Sequence, residues 1–242
     1  MNIVKEVAYM ANTDQGSALL IENSHQTKDH LEIDILEPAP ECCIYKVPER
    51  FRELKATVYT PRLISIGPVH HGNKNLVKME SQKLRYHKKF FERTSKKKEE
   101  FLSFINEEYV NRIYRCYDQF VFETEFDASK FVTMILYDAV FIIEFLMRSS
   151  EEEKDFLLNR EWLSIELRSD FLLLENQLPF FVLEDLYKLA FGSSESFLPL
   201  PCEYLGIEAD PSYEKEEIKH LLDLARCSAV RIRPRDSGEI VD

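Results

Sequence analysis

Three residues stand out by their setting as candidates for acid–base or metal chemistry: the adjacent His70 and His71, and Asp138 within an apolar stretch. Imidazoles bind metal ions and move protons near neutral pH. A buried carboxyl group can act as a general acid, because burial raises its pKa. These residues suggest an enzyme that uses Asp138 with His70 or His71. This hypothesis predicts an open polar pocket joining them, and it would be removed if Asp138 were sealed and paired with Lys83 or Arg85.

The histidines also fit a purely structural interpretation, as part of the segment LISIGPVHHG at residues 63–72. Neighbouring residues of an extended segment point to opposite faces, so both imidazoles cannot readily reach one metal ion. No H-x-x-x-H spacing or nearby acidic or cysteine set completes a metal site. Pro68 fixes a backbone angle, while Gly67 and Gly72 permit angles that other residues resist. We therefore favour a rigid bend and expect neither a metal nor a cofactor.

Asp138 also has a structural alternative, an ion pair or hydrogen bond to another helix. An isolated carboxylate is costly to bury, so a buried aspartate inside a helix needs a partner. The next acid of the stretch, Glu144, lies about 240° around the helix and cannot complete a catalytic pair on the same face. Its spacing favours a pair with Arg148, four residues on. We favour the structural role for both acids.

A run of basic residues follows the histidines. One helical face carries the basic stripe, which consists of Arg85, Lys88, Lys89, Arg93 and Lys96. Such a stripe could bind an acidic protein partner, an anionic membrane surface or RNA. It could equally be a solvated face that meets the chain's own acids at 151–155. The net charge of −12 argues against a nucleic-acid partner, because nucleic-acid binding depends on neutralising phosphates.

The composition predicts a mainly α fold that positions these residues. Only six glycines occur among 242 residues, which leaves few tight turns and no glycine-rich phosphate loop. We expect a flexible lead-in over residues 1–41, a single helical domain over 42–230 and a polar tail over 231–242. A few short extended segments are expected near residues 43–68, including a strand or packed extended segment at Tyr59–Gly67.

Apolar periodicity predicts seven helices. Their ranges are Pro48–Leu54, Leu76–Arg93, Phe101–Tyr117, Ser129–Arg148, Trp162–Asn176, Pro179–Ala190 and Tyr213–Cys227. Ser95 is a candidate cap for the third helix, and a proline-bearing loop is expected over Phe197–Tyr213. The most apolar stretch, Phe131–Met147, contains two acids that would be costly in a bilayer, so we expect a buried core helix there.

The stretch DFLLLENQLPFFVLEDLY, Asp170–Tyr187, predicts two helices joined by a tight turn. Pro179 suits the first turn of a helix, and the residue before it is pushed away from helical angles. The side-chain amides of Asn176 and Gln177 can satisfy backbone groups left without partners at the junction. The hairpin is therefore expected to be a packing device.

The five cysteines indicate a reducing compartment. Their number is odd and no C-x-x-C spacing occurs, so neither a disulfide framework nor a zinc ribbon is expected. The first 20 residues lack the continuous apolar core of a secretory signal. We expect a chain that is soluble on the cytoplasmic side.

Several stretches together resemble a plant family, domain of unknown function 247, also called uncharacterised protein family 0481. They are CIYKVPERFREL, YTPRLISIGPVHHG, the Met79–Tyr86 pattern, YDAVFIIEFL and DFLLLENQLPFFVLEDLY, in the family's order. The motif positions expected to have structural roles are Gly67, Pro68, His70, His71, Gly72, Glu80, Lys83, Arg85, Asp138, Glu144, Glu175, Asn176, Gln177 and Pro179. The chain resembles only the N-terminal half of such a protein.

The resemblance implies no catalytic residues, because the family has no assigned reaction. It implies full-length proteins with a hydrophobic membrane segment, some of them linked to pollen–stigma self-incompatibility. Together with the missing catalytic motifs, this predicts a non-enzymatic recognition or scaffold protein with an unidentified protein partner. An anionic membrane surface is a second candidate partner, and the enzyme with Asp138 remains the alternative.

Overall fold

The structure, a computed structural model, describes residues 39–122, 127–192, 196–208 and 218–232, together with residues 194, 210 and 213. The helices in these ranges are α1 Glu49–Lys55, α2 Val77–Arg93, α3 Lys98–Phe104, α4 Val110–Arg115, α5 Ala128–Ser150, α6 Glu161–Phe171, α7 Phe180–Phe191, α8 Pro199–Leu205 and α9 Leu221–Ile232. The same ranges contain no β-strand, which confirms the predicted mainly α fold. Most of the predicted lead-in and tail lies outside the described residues.

Helix α5 lies at the centre and packs against α2, α3, α7 and α8. Apolar side chains are buried all round its middle, as the apolar stretch of the sequence predicts. Its first turn is capped by Asp127, whose carboxylate accepts hydrogen bonds from the backbone N–H groups of Ser129 and Lys130. Among the helices that the structure describes, none combines the length and apolar character needed to cross a membrane.

Helix α2 makes the main contact with α5. Its buried residues, Met79, Lys83, Tyr86 and Phe90, recur every three or four positions and so lie on one face. The Tyr86 ring meets the ring of Phe141 edge to face, with the centroids 5.0 Å apart. This packing fixes α2 beside α5 and turns the opposite face of α2 outward.

The predicted helix Phe101–Tyr117 is interrupted by a π-helical segment, Ile105–Tyr109, that joins α3 to α4. A π turn takes one residue more than an α turn, so the buried face passes from Ile105 to Val110 and leaves Tyr109 only partly buried. The helical segment begins at Lys98, and its N-cap is Lys97 rather than the predicted Ser95. The carboxylate of Glu100 accepts the Lys97 backbone N–H at 2.8 Å and satisfies this end.

The predicted proline-bearing loop Phe197–Tyr213 was wrong over its first part, where α8 forms. Pro199 and Pro201 both lie in the first turn of α8, where no backbone N–H is needed for the helical ladder. Gly206 ends the helix with a left-handed φ of 67°. The two prolines therefore begin a helix here.

The last helix was predicted over Tyr213–Cys227, but residues 218–220 are not helical and α9 begins at Leu221. His220 sets this start, because its Nδ1 accepts the backbone N–H of Asp223 at 3.1 Å. The Asp223 carboxylate in turn accepts the backbone N–H of Lys219 at 3.1 Å. This reciprocal pair works like a capping box built on a histidine.

Candidate functional site

Within the part of the chain that the structure describes, no strand pairs with the extended segment 62–67, and buried polar side chains supply its hydrogen-bond partners instead. Asp170, at the end of α6, accepts the backbone N–H groups of Arg62 at 3.0 Å, Leu63 at 2.7 Å and Ile64 at 2.9 Å. Unpaired buried N–H groups would each cost about 1–3 kcal/mol. A single aspartate thus anchors three successive residues of the segment to α6.

The turn after α6 continues this anchoring. Asn176 accepts the backbone N–H of Ile66 at 2.7 Å, and its amide nitrogen donates to the carbonyl oxygens of Ile64 and Asp170, both at 3.0 Å. The helix predicted over Trp162–Asn176 ends early, at Phe171, because the chain bends here so that Asn176 faces the segment. The asparagine therefore supplies both a donor and an acceptor, as a paired strand would.

Gln177 joins the same turn to two other parts of the fold. Its amide nitrogen donates to the carbonyl oxygens of Phe171 and Leu173, both at 2.7 Å, and its Oε1 accepts the N–H of Leu222 in α9 at 3.3 Å. The Gln177 carbonyl oxygen accepts the hydroxyl of Tyr117 at 2.9 Å. Pro179, buried, follows as the N-cap residue of α7.

Glu175, also in this turn, binds two hydrogen-bond donors from the preceding half of the chain and lies beside His70. Its carboxylate accepts hydrogen bonds from the backbone N–H of Val47 and from the guanidinium of Arg52, the latter at 2.6 Å. The same carboxylate lies 3.3 Å from Nε2 of His70. Burial alone would raise the pKa of Glu175, but the bonds from His70, Arg52 and Val47 outweigh it and lower the pKa. The structure thus places His70 beside Glu175.

Asp138 is buried and paired with Lys83. Nζ of Lys83 lies 2.6 Å from Oδ1 of Asp138 and 2.7 Å from Oε1 of Glu80. Oδ2 of Asp138 accepts the backbone N–H of Gly67 at 2.8 Å. Burial would lower the pKa of Lys83, but the two carboxylates raise it, so we treat the pair as charged. This ion pair ties α2, α5 and the extended segment together.

The bend after Gly67 has the geometry that the two glycines suggest. Gly67 and Gly72 have φ values of 72° and 78°. A β-carbon on Gly67 would lie 2.6 Å from the carbonyl oxygen of Gln177, whereas one on Gly72 would meet nothing within 4 Å. The N–H of His71 donates to the carbonyl oxygen of Pro68 at 3.3 Å and closes the turn between the glycines.

His71 lines a cavity to which His70 does not contribute. A cavity of about 400 Å³ opens beside α2 and the first turns of α5. It is lined by His71, Glu80, Leu84, Ser129, Lys130, Thr133, Met134, Tyr137 and Asp138. The structure therefore brings His71 and Asp138 to one cavity and leaves His70 outside its lining. Among the residues that the structure describes, no group of three or more His, Cys, Asp or Glu side chains could hold a metal ion.

Two arginines of the basic stripe meet acids of the chain. Arg85 binds the carboxylate of Asp155, and Arg93 binds Glu144 at 3.1 Å and two acids of the turn after α5, Glu151 and Glu153, at 2.6 Å each. The buried Glu144 also accepts Nε of Arg148 at 2.7 Å, in the expected i,i+4 pair. These contacts match the solvated-face alternative for Arg85 and Arg93.

Among the described residues, the lysines of the basic stripe form fewer ion pairs with the chain's acids than the two arginines do. Lys89 pairs with the exposed Glu92 at 2.8 Å, and Lys96 with Glu100 at 3.5 Å, both on the surface, where an ion pair contributes about 0–1 kcal/mol. Lys88 is exposed. The part of the stripe that still presents charge to solvent is therefore Lys88 and Lys89, with Lys96 at the end of the run.

Sequence reasoning left two central acids out of the site. Asp170 was treated only as the first residue of the hairpin, although it anchors three backbone N–H groups. Asp155 was treated as part of an acidic run, although it is buried and binds Arg85, Arg148 and the Tyr86 hydroxyl. The sequence does distinguish Asp155 from the acids before it, because apolar Phe156 and Leu157 follow Asp155 directly.

Comparison with known proteins places these features in a family. The sequence profile of DUF247, described as a plant protein of unknown function, matches residues 44–240. The UPF0481 protein At3g47200 of Arabidopsis thaliana is 34% identical over 196 residues, which cover 76% of this chain and 40% of that protein. A second Arabidopsis UPF0481 protein, At3g02645, is 29% identical over 160 residues, which cover 63% of this chain and 28% of that protein.

The matched residues thus span less than half the length of either relative. No solved structure gives a significant match. The profile match includes the extended segment, the ion pair on α5 and the turn with Asp170, Glu175, Asn176 and Gln177. The chain therefore belongs to the DUF247 family of plant proteins.

Proposed function

We propose that this chain is a non-enzymatic recognition module that binds the acidic surface of a protein partner through the exposed lysines of α2. The observation that carries the proposal is the position of Lys88 and Lys89. Both are exposed on a helix whose opposite face is fixed to α5. A rigid helix that presents cations from a chain of net charge −12 favours a partner with a complementary acidic patch.

The engagement of the buried acids supports a non-enzymatic role. Asp138, Asp170 and Glu175 each accept backbone N–H groups from distant segments, so their oxygens hold the fold together. A catalytic carboxyl needs access to substrate and a pKa matched to its task. The arginines of the basic stripe are likewise held by the acids at 144–155, which keeps α2 in a fixed orientation.

Capture experiments with charge-reversal variants test the proposal. K88E/K89E changes the net charge by the same amount as R50E/K55E, whose two positions are exposed on α1. We expect a defined partner, captured from plant extract and then purified, to bind the wild type and R50E/K55E but to lose at least tenfold in affinity for K88E/K89E. The loss should shrink at high salt, because exposed charges are screened. Equal binding by both variants would contradict the proposal.

Vesicles distinguish a membrane surface from a protein partner. The family resemblance suggests membrane association, and anionic lipid attracts exposed lysines with about 1 kcal/mol each. If the lysines serve a protein partner, the wild type should bind phosphatidylserine vesicles no better than phosphatidylcholine vesicles. Binding to the anionic vesicles that K88E/K89E abolishes would replace the protein partner with a membrane surface.

The alternative, an enzyme using Asp138 with a histidine, is favoured by one observation, that His71 and Asp138 line the same cavity. Against it, the Asp138 side chain is 1% exposed and paired with Lys83, the arrangement expected of a structural acid. His70 is the weaker candidate, because it lies against Glu175. A panel of chromogenic ester, phosphate and glycoside substrates tests the alternative directly. Turnover by the wild type that His71→Ala abolishes, with unfolding unchanged, would replace the recognition proposal with an enzymatic one. We expect no such turnover.

A further inference from the structure

We propose that the cavity between α2 and the first turns of α5 binds a small amphipathic amine, with its ammonium group at Glu80 and its apolar body against Leu84, Met134 and Tyr137. This site is separate from the exposed lysines, so the proposal stands independently of the protein partner. The volume of about 400 Å³ falls within the range of small-molecule sites, about 300–1,000 Å³.

The charge at the polar end selects a cation. Glu80 and Asp138 share one ammonium, that of Lys83, at 2.7 and 2.6 Å. Two carboxylates and one lysine leave a net charge of −1 on this wall. Asp138 uses its other oxygen for the N–H of Gly67, whereas the Glu80 side chain is 44% exposed and faces the cavity. A ligand ammonium at Glu80 would complete the charge balance, and a ligand carboxylate would be repelled.

The other ionisable groups of the cavity do not reverse this preference. Lys130 lies on the rim with 85% of its side chain exposed, and its Nζ is 3.2 Å from the carboxylate of Asp127. Its charge is therefore largely neutralised by Asp127 and by solvent outside the cavity. His71, also in the lining, is exposed and can accept a hydrogen bond when neutral.

The apolar end is fixed by aromatic stacking. The Tyr137 ring stacks on His87, with the centroids 4.3 Å apart and the planes 9° from parallel. The Tyr137 hydroxyl accepts a hydrogen bond from Nζ of Lys98 at 3.0 Å. Burial, with Lys98 nearby, lowers the pKa of His87 to about 4, so this imidazole is neutral at pH 7. The ring is thus held by a neutral imidazole and by Lys98, whose ammonium lies 4.7 Å from the ring centroid and is the cation at this end of the cavity, away from the two carboxylates that share Lys83.

Methionine-methyl NMR tests the proposal, because Met134 lines the cavity whereas Met147 does not. The probes are 2-phenylethylamine and its carboxylate counterpart, 3-phenylpropanoate. We expect the amine to shift the Met134 methyl signal in a saturable manner and to leave Met147 unchanged. The carboxylate should shift neither signal. Glu80→Gln should weaken amine binding at least tenfold, while Glu99→Gln, at an exposed position on α3, should leave it unchanged.

Each result bears on the proposal. The proposal would be overturned if the Met134 signal showed no saturable shift with the amine up to about 10 mM, because binding weaker than that is not specific recognition. Equal shifts with the amine and the carboxylate would also overturn it, because the charge of Glu80 would then not select the ligand. Retained binding in Glu80→Gln would overturn the placement of the ammonium. A urea unfolding curve for Glu80→Gln that matches the wild type ensures that lost binding is not lost folding.

Discussion

The backbone N–H of Gly67 donates a 2.8 Å hydrogen bond to the buried carboxylate of Asp138, 71 residues away in the sequence. The same carboxylate holds the ammonium of Lys83 at 2.6 Å. Asp138 thus joins the bend after the extended segment to both α2 and α5. The polar residues that first suggest catalysis are, in this arrangement, the contacts that position three elements of the fold.

Gly67→Ala should destabilise the protein more than Gly72→Ala. Both glycines have positive φ, which costs a residue with a β-carbon about 1–2 kcal/mol. At Gly72 nothing else lies within 4 Å, so the loss should stay in that range. At Gly67 the β-carbon would also overlap the Gln177 carbonyl oxygen, and the total loss should reach about 2–5 kcal/mol. Urea unfolding measures both, and equal losses would contradict the close packing.

Asp138→Asn should lower the free energy of unfolding by about 3–5 kcal/mol, because it removes the buried counter-charge of the Lys83 ammonium and leaves only the partly exposed Glu80. The double variant Asp138→Asn with Lys83→Met should be more stable than Asp138→Asn alone, since a neutral pair needs no compensation. Chemical denaturation of the two single variants and the double variant measures this coupling. Additive losses would show that the two side chains do not depend on each other.

Asn176→Asp should be strongly destabilising, although the two side chains have nearly the same shape. The substitution replaces a donor by an acceptor opposite the carbonyl oxygens of Ile64 and Asp170. Each carbonyl left without a donor costs about 1–3 kcal/mol. Asn75→Asp, at an exposed position, should change stability by less than about 0.5 kcal/mol. Thermal unfolding at pH 7 compares the two, and similar midpoints would argue against the predicted hydrogen bonds.

Glu175 should make the fold sensitive to acid. Its pKa in the folded protein is lowered, so its charged form stabilises the fold above the unfolded pKa of about 4.3. This contribution is lost as the pH falls through the lower, folded-state pKa. Glu175→Gln should therefore be less stable than the wild type at pH 7 but lose less stability between about pH 5 and pH 3. Urea midpoints across this range test the difference, with Glu99→Gln as the exposed control. Parallel curves for wild type and Glu175→Gln would contradict the prediction.

The helices of the core were predictable because their signal is local. The apolar spacing of α2 and the apolar stretch of α5 predicted both helices to within two residues at each end. The π-helical segment before α4 was not predictable, because a π turn differs from an α turn by one residue per turn and not by the kinds of residue that it contains. Helix α8 was missed because its prolines suggested a loop, although both occupy the first turn.

The site was predictable only in part, because the sequence pattern indicates local contacts but not contacts between distant segments. The amides of Asn176 and Gln177 were expected to satisfy backbone groups at the hairpin, and the bonds of Gln177 to Phe171 and Leu173 are of this kind. The bonds of Asn176 to the extended segment span 110 residues or more. No pattern in one sequence records which distant segment a buried amide will meet. The choice of Lys83 over Arg85 as the partner of Asp138 likewise depends on which face of α2 meets α5.

Residue-resolved amide hydrogen exchange tests the central claim most directly, that buried side chains hold segment 62–67 as a paired strand would. The N–H groups of Ile64, Ile66 and Gly67 are bonded to Asp170, Asn176 and Asp138. We expect these three amides to exchange about a thousandfold or more slowly than an unprotected chain, like the amides of α5. Exchange at the rate of an exposed loop, with α5 still protected, would contradict the account.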